Sequence, residues 1–154
     1  MPIQFFFADA TITFKEKKKL KQFIEALFSK EGKSLASLNY VFCSDKYLLT
    51  INKTFLKHNN YTDIITFNIS PSKSPIEGEV YISVDRVKEN AVIFKKSIKN
   101  ELHRLIFHGA LHLCGYKDKA KTEIKTMRKT EEKYLNLYFD VGFSGKVSRG
   151  TIFK

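Results

Sequence analysis

The sequence predicts an α+β fold: a single domain with a mixed, roughly four-stranded sheet packed by helices and a histidine motif on a central buried helix. Three observations point there. A chain of 154 residues, 43% hydrophobic and 28% charged, suits one domain with a sizeable core. Period-two alternation falls at residues 3–7, 36–43, 61–69 and 77–84, between stretches of helical period. A run beginning after Leu102 is apolar on nearly every side, which marks its helix as buried.

Ile3, Phe5 and Phe7 share one face of the first strand. Thr13 reads as the N-cap of a helix over 14–30, with Glu16 completing a capping box. Leu20, Phe23, Ile24, Leu27 and Phe28 form its apolar stripe; Lys15, Lys17, Lys18, Lys19 and Lys21 cover the other side. Those lysines are either a solvated face or a patch for nucleic-acid phosphates. The second strand sets Leu38, Tyr40 and Phe42 against Val41 and Cys43, so both its sides are partly covered. Ser44 or Asp45 caps a short helix to Leu56, and His58-Asn59-Asn60-Tyr61 is a turn-rich loop. Ile65, Phe67 and Ile69 face one way on the third strand, and Val80, Ile82 and Val84 on the fourth. The short connection between these two predicts an antiparallel, hairpin-like pair. Asp85 caps a helix over 86–95, and Ser97 or Asn100 opens the central helix, which ends near 114. The last helix, 120–138, is expected to bury Ala120, Ile124, Met127, Tyr134, Leu135 and Tyr138. The domain is drawn as residues 1–139, and 140–154 as a basic tail that is flexible or folds on contact with nucleic acid.

The net charge of +11 and pI near 9.6 favour a polyanionic partner. A lysine-rich, AT-biased genome would raise the pI in the same way. No apolar run approaches the ~18 residues of a membrane span, and MPIQFFFADA lacks the basic start of a signal peptide. Two cysteines, Cys43 and Cys114, imply no disulfide framework and suit a cytoplasmic protein with free thiols.

The chemistry concentrates in His108-Gly109-Ala110-Leu111-His112-Leu113-Cys114-Gly115-Tyr116-Lys117-Asp118. Histidines four apart on a helix lie ~40° apart around its axis and about one turn along it, so both imidazoles reach one ion. Gly115 lets the chain leave the helix, and Asp118 follows with a carboxylate able to fold back. Two imidazoles, a carboxylate and an open position make a catalytic zinc set: His108, His112 and Asp118 around one Zn2+ per chain. The spacing copies the metzincin frame, with Asp118 for the last histidine. Gly109, however, stands where a peptidase carries its glutamate base, which argues against peptide hydrolysis. The plain alternative is a metal-free pair of packed histidines. Glu131 lies on the apolar stripe of the last helix, where a carboxylate needs a partner. A bond to a ligand histidine, or a buried pair with a Lys or Arg, would supply one. Glu101, on the His108 stripe, either orients a ligand or caps the helix, the cap being the simpler role. His103 lies off that face.

HGALHLCGY resembles the HGxLHLxGYDH signature of the YbeY family, metal-dependent endoribonucleases and 16S rRNA maturation factors of bacteria. Thr62-Asp63-Ile64-Ile65-Thr66-Phe67 is similar to that family's TDVLSF strand and Gly78-Glu79-Val80-Tyr81-Ile82-Ser83 to its GD-I-IS strand. Met127 and Glu131 match its M-x3-E pair, so the likeness covers about residues 37 to 138 in consistent order. The resemblance implies a zinc-dependent, single-strand-specific endoribonuclease of 16S rRNA maturation and ribosome quality control. Its partners would be ribosomal RNA and the small ribosomal subunit. Asp118 stands for the family's third histidine, Glu79 for its usual aspartate, and Leu56 for an arginine, with Lys57 and His58 beside it.

His58 and Asp63 are the candidate catalytic residues, although the simplest role for Asp63 is capping a turn or bonding backbone. Glu131 and Glu101 are the candidate supports behind the ligands. Lys57, Lys117, Lys119, Lys121 and Arg128 are expected to meet RNA, since residues 117–133 carry seven basic groups beside the motif. No aromatic stacking platform is evident. Three alternatives stand: a non-catalytic ribosome-assembly factor with a structural metal, favoured by Leu56; a metallopeptidase-like hydrolase, disfavoured by Gly109; and the metal-free fold in which His108 and His112 only pack.

Overall fold

The computed structural model describes residues 2–72 and 74–140. The alternating stretches form β1 (Ile3–Phe7), β2 (Leu35–Cys43), β3 (Ile64–Asn68) and β4 (Ile76–Ser83). The helical ones form α1 (Lys17–Lys30), α2 (Asp45–Leu56), α3 (Val84–Ile93), α4 (Ile98–Leu113) and α5 (Lys121–Tyr138). The strands make one mixed sheet in the order β1-β2-β4-β3, with β1, β2 and β4 parallel. β3 runs antiparallel to β4 at the edge, as the hairpin-like pair requires, with Thr66 opposite Val80. The expected basic tail lies outside the described residues, apart from Asp140.

One face of the sheet carries most of the core. Leu38, Tyr40, Phe42, Val80 and Ile82 are sealed there with the stripes of α1, α4 and α5. The α1 stripe buries all the residues expected, and each large apolar side chain so placed contributes roughly 1.5–3 kcal/mol. A smaller cluster of Cys43, Leu48 and Ile65 lies on the opposite face, under α2. Among the described residues no helix is long and apolar enough to cross a membrane.

Three local expectations give way to packing. α1 starts at Lys17, with Glu16 in the left-handed region and no side-chain cap, so Thr13 caps nothing. The preceding turn is held out of the helix because Ile12 and Phe14 enter the core, where Phe14 meets the rings of Phe5 and Phe42. α3 is capped by Ser83, whose hydroxyl accepts from the Arg86 amide, while the Asp85 carboxylate accepts from the Asp45 amide. At the start of α5, Ala120 is exposed and Ile124 is 42% exposed, because this first turn faces an open cleft. Glu123 closes that end by accepting from the Ala120 amide at 2.9 Å.

α4 is seated directly on the sheet. A Cβ on Gly109 would lie 2.8 Å from a methyl of Val80, so only glycine permits this approach. The Tyr40 hydroxyl donates to the Ile106 carbonyl at 2.8 Å and joins β2 to the same helix. The outcome is a buried helix lying along β3 and β4, with His108 and His112 turned towards the β3 edge.

Candidate metal centre

α4 begins at Ser97, whose hydroxyl accepts from the Asn100 amide at 2.9 Å. Its far end closes as a Schellman motif. The Gly115 amide donates to the His112 carbonyl at 3.0 Å and the Tyr116 amide to the Leu111 carbonyl at 3.1 Å. Gly115 sits at φ +110°, a conformation glycine adopts freely. This reversal turns the chain back so that Asp118 faces the helix it has just left.

Asp118 Oδ2 lies 3.3 Å from His108 Nε2, and its Oδ1 lies 3.5 Å from His112 Nε2. One ligand atom from each of the three residues falls within 4.8 Å of the others. The two imidazoles stand nearly perpendicular, at 83°, with ring centroids 5.4 Å apart. His108 Nδ1 is 2.6 Å from Glu131 Oε2. An ionised carboxylate only accepts, so Nδ1 carries a proton and donates to Glu131, and the other ring nitrogen, Nε2, is the one that faces Asp118. Two imidazole nitrogens and a carboxylate thus converge on one point at the end of α4. The donor set therefore fits a divalent ion, and His108, His112 and Asp118 together can hold one.

Behind Glu131 runs a chain of buried polar groups. Arg104 donates from Nη1 to Glu131 at 3.0 Å, and from Nε and Nη2 to the two oxygens of Glu101 at 2.9 and 2.8 Å. The Asn90 amide donates on to Glu101 at 3.2 Å and to Asp63 at 3.1 Å. Burial tends to raise the Glu131 pKa, but the bond from His108 and the charge of Arg104 outweigh it and hold the group below its ordinary value. Glu101 is thus not the helix cap; it anchors the arginine that anchors Glu131. Sequence reasoning missed Arg104 and Asn90. The signal for Arg104 was its place three residues after Glu101, within reach of a carboxylate on a buried helix.

The His108, His112 and Asp118 cluster opens into a cleft of about 590 Å3 between the β3 edge, α4 and α5. His58 and Asp63 line it from the loop before β3, and Arg128 from α5. Leu56 also lines it, 39% exposed. Lys57 is the left-handed C-cap of α2, next to the cleft wall but not on it. Lys117 borders a separate small hollow, and Lys119 and Lys121 lie on neither wall, so the structure does not gather these lysines around the three candidate ligands. Glu79 points to the opposite face of the sheet, where its carboxylate accepts from Tyr81, so that departure leaves the cleft untouched.

The model of the family described as Endoribonuclease YbeY matches residues 5–138, nearly the whole described chain. The chain belongs to the YbeY family. A relative in Cytophaga hutchinsonii, named Endoribonuclease YbeY, is 46% identical over 135 residues, 88% of this chain and 94% of its own. Relatives of the same name in Karelsulcia muelleri and Flavobacterium psychrophilum are 49% and 44% identical, over 70% and 75% of this chain and 75% and 81% of theirs. A solution structure of a Thermotoga maritima protein has the same fold, with a TM-score of 0.56 and 24% identity over 96% of this chain and 98% of that one. For a YbeY-family chain, Gly109 acquires a second meaning. The position that carries a base in metzincins is packed against Val80 and Ile64, where no glutamate fits. The fold thereby removes the peptidase alternative's base by packing as well as by sequence.

Proposed function

We propose that this chain is a metal-dependent endoribonuclease of single-stranded RNA, acting in the cytoplasm on 16S rRNA during maturation of the small ribosomal subunit. The observation that supports it is the His108, His112 and Asp118 cluster at the floor of an open cleft, in a chain whose relatives are named endoribonucleases. Zn2+ is the ion proposed, one per chain, because two imidazoles and a carboxylate leave a position open to substrate. When bound, the ion supplies Lewis-acid chemistry: it acidifies water and offsets charge on the phosphate oxygens.

The rest falls to the side chains. Glu131 keeps the His108 ring in one orientation and one tautomer, and the Arg104–Glu101 pair keeps Glu131 in place. Arg128, on the α5 wall, is the cation placed to hold a backbone phosphate where Leu56 provides none. His58 and Asp63, on the facing wall, are the groups placed to exchange a proton with the ribose or leaving oxygen. The alternative of a non-catalytic assembly factor rests on Leu56, the uncharged residue at the cleft wall.

A single-stranded oligoribonucleotide and its duplex, each incubated with the protein and zinc or with chelator, discriminate the two. The expected result is cleavage of the single strand alone, abolished by chelator and reduced at least ~100-fold in His112→Ala. Binding to small ribosomal subunits with no chelator-sensitive cleavage of any RNA would establish the assembly factor instead.

A further inference from the structure

A second groove lies beside the metal cleft, between the turn from α3 to α4 and the outer face of α5. It encloses about 360 Å3, and Arg104, Arg128 and Glu131 line both hollows, so the two are contiguous. Its wall is positive. Its four cations, Lys96, Arg104, Arg128 and Lys129, exceed its three carboxylates by one, and two of those carboxylates, Glu101 and Glu131, are turned onto Arg104. Among the described residues no ion pair ties Lys96, Arg128 or Lys129 to a carboxylate.

The groove also has a flat, π-bearing surface. Phe94 caps the end of α3, is 43% exposed, and carries the Arg128 guanidinium 5.8 Å from its ring centroid. The turn that presents it is locked. Lys95, at φ 56°, donates its amide to the Val92 carbonyl at 3.2 Å, and Lys96 donates to the Ala91 carbonyl at 2.9 Å. This Schellman closure puts a lysine where glycine is usual and fixes the backbone from which Phe94 and Lys96 reach the groove wall. Aromatic rings and guanidinium planes are surfaces on which unpaired bases stack, and lysines beside them meet the backbone.

We propose that this groove is a second RNA subsite: it takes a base of a single strand on Phe94 and Arg128, and backbone phosphates on Lys96 and Lys129. The strand continues over Arg128 into the metal cleft. The subsite depends on the endoribonuclease reading for that continuity, but its binding chemistry needs no metal.

The test is fluorescence anisotropy of a labelled ~12-nucleotide single-stranded RNA over a salt series, in chelator, so that nothing is cleaved. The double variant Lys96→Glu, Lys129→Glu is compared with Lys33→Glu, Lys46→Glu, which makes the same charge change at exposed positions that line neither hollow. The groove variant is expected to bind about tenfold more weakly, with the log–log salt slope smaller by ~0.7 for each phosphate no longer neutralised; the control stays within about twofold of wild type. Phe94→Leu, which keeps apolar packing, is expected to abolish quenching of 2-aminopurine in the strand. Equal losses in both double variants, no loss in either, or unchanged quenching in Phe94→Leu would overturn the subsite. Restoring zinc to the wild-type protein reads the nuclease separately. Cleavage with unaltered binding by the groove variant sinks the subsite alone, and weakened binding with no cleavage sinks the nuclease alone.

Discussion

The two ring nitrogens of His108 serve different partners: Nδ1 meets Glu131, and Nε2 faces Asp118. His103, earlier on α4, has a different fate. It is 1% exposed, stacks on Tyr138, and bonds the Lys99 carbonyl through Nδ1. Burial outweighs that bond, with further depression from Lys99 and Lys19, and lowers its pKa from 6.5 to about 4. Between those values the unfolded chain binds a proton that the folded chain does not. The stability due to neutral His103 is therefore complete above about pH 6.5 and is lost as the pH falls towards 4. Between pH 7 and 5 the loss amounts to about 2 kcal/mol. Urea denaturation at both pH values, in chelator, is expected to show that loss in wild type and its disappearance in His103→Phe. An equal loss in both would place the pH dependence elsewhere. The sequence placed His103 off the metal face by helical angle alone. It offered the Glu101–Arg104 spacing but not the chain as a whole, because the second carboxylate, Glu131, meets Arg104 only once α5 is packed on α4.

At the scale of elements, the decisive contact is α4 against the sheet. Gly109→Ala puts a methyl into Val80, in backbone positions that the sheet fixes on one side and the α4 ladder on the other. The expected cost is about 1–3 kcal/mol, read as a lower thermal midpoint. An unchanged midpoint would show that helix and sheet have room to separate. Strands and helices were legible in the sequence where one face is buried throughout, as in β2 and α1. The caps of α1 and α3 were not, because Phe14 and Asp85 obey tertiary partners before local capping rules. Nor was the exposed first turn of α5. Helical spacing gives Ile124 a place on the stripe, but only the position of α4 decides that this turn overhangs a cleft.

For the whole molecule, the mixed sheet with its antiparallel edge follows from connection lengths. A few residues between β3 and β4 permit a hairpin, whereas β1, β2 and β4, joined through helices, run parallel. The same topology places the β3 edge, the ends of α4 and the flank of α5 around one cleft, and so brings together residues as distant in sequence as Asp63 and Glu131. The net charge of +11 gives the whole chain a field that attracts polyanions. The ion at the cleft floor is the claim on which the rest turns. Elemental mass spectrometry of untagged protein purified without added metal, beside Asp118→Ala, tests it most directly. The prediction is about one equivalent of zinc in wild type and a clear fall in the variant. Zinc retained in Asp118→Ala would remove Asp118 from the ligand set, and no metal in either protein would contradict the metal-dependent hydrolase altogether.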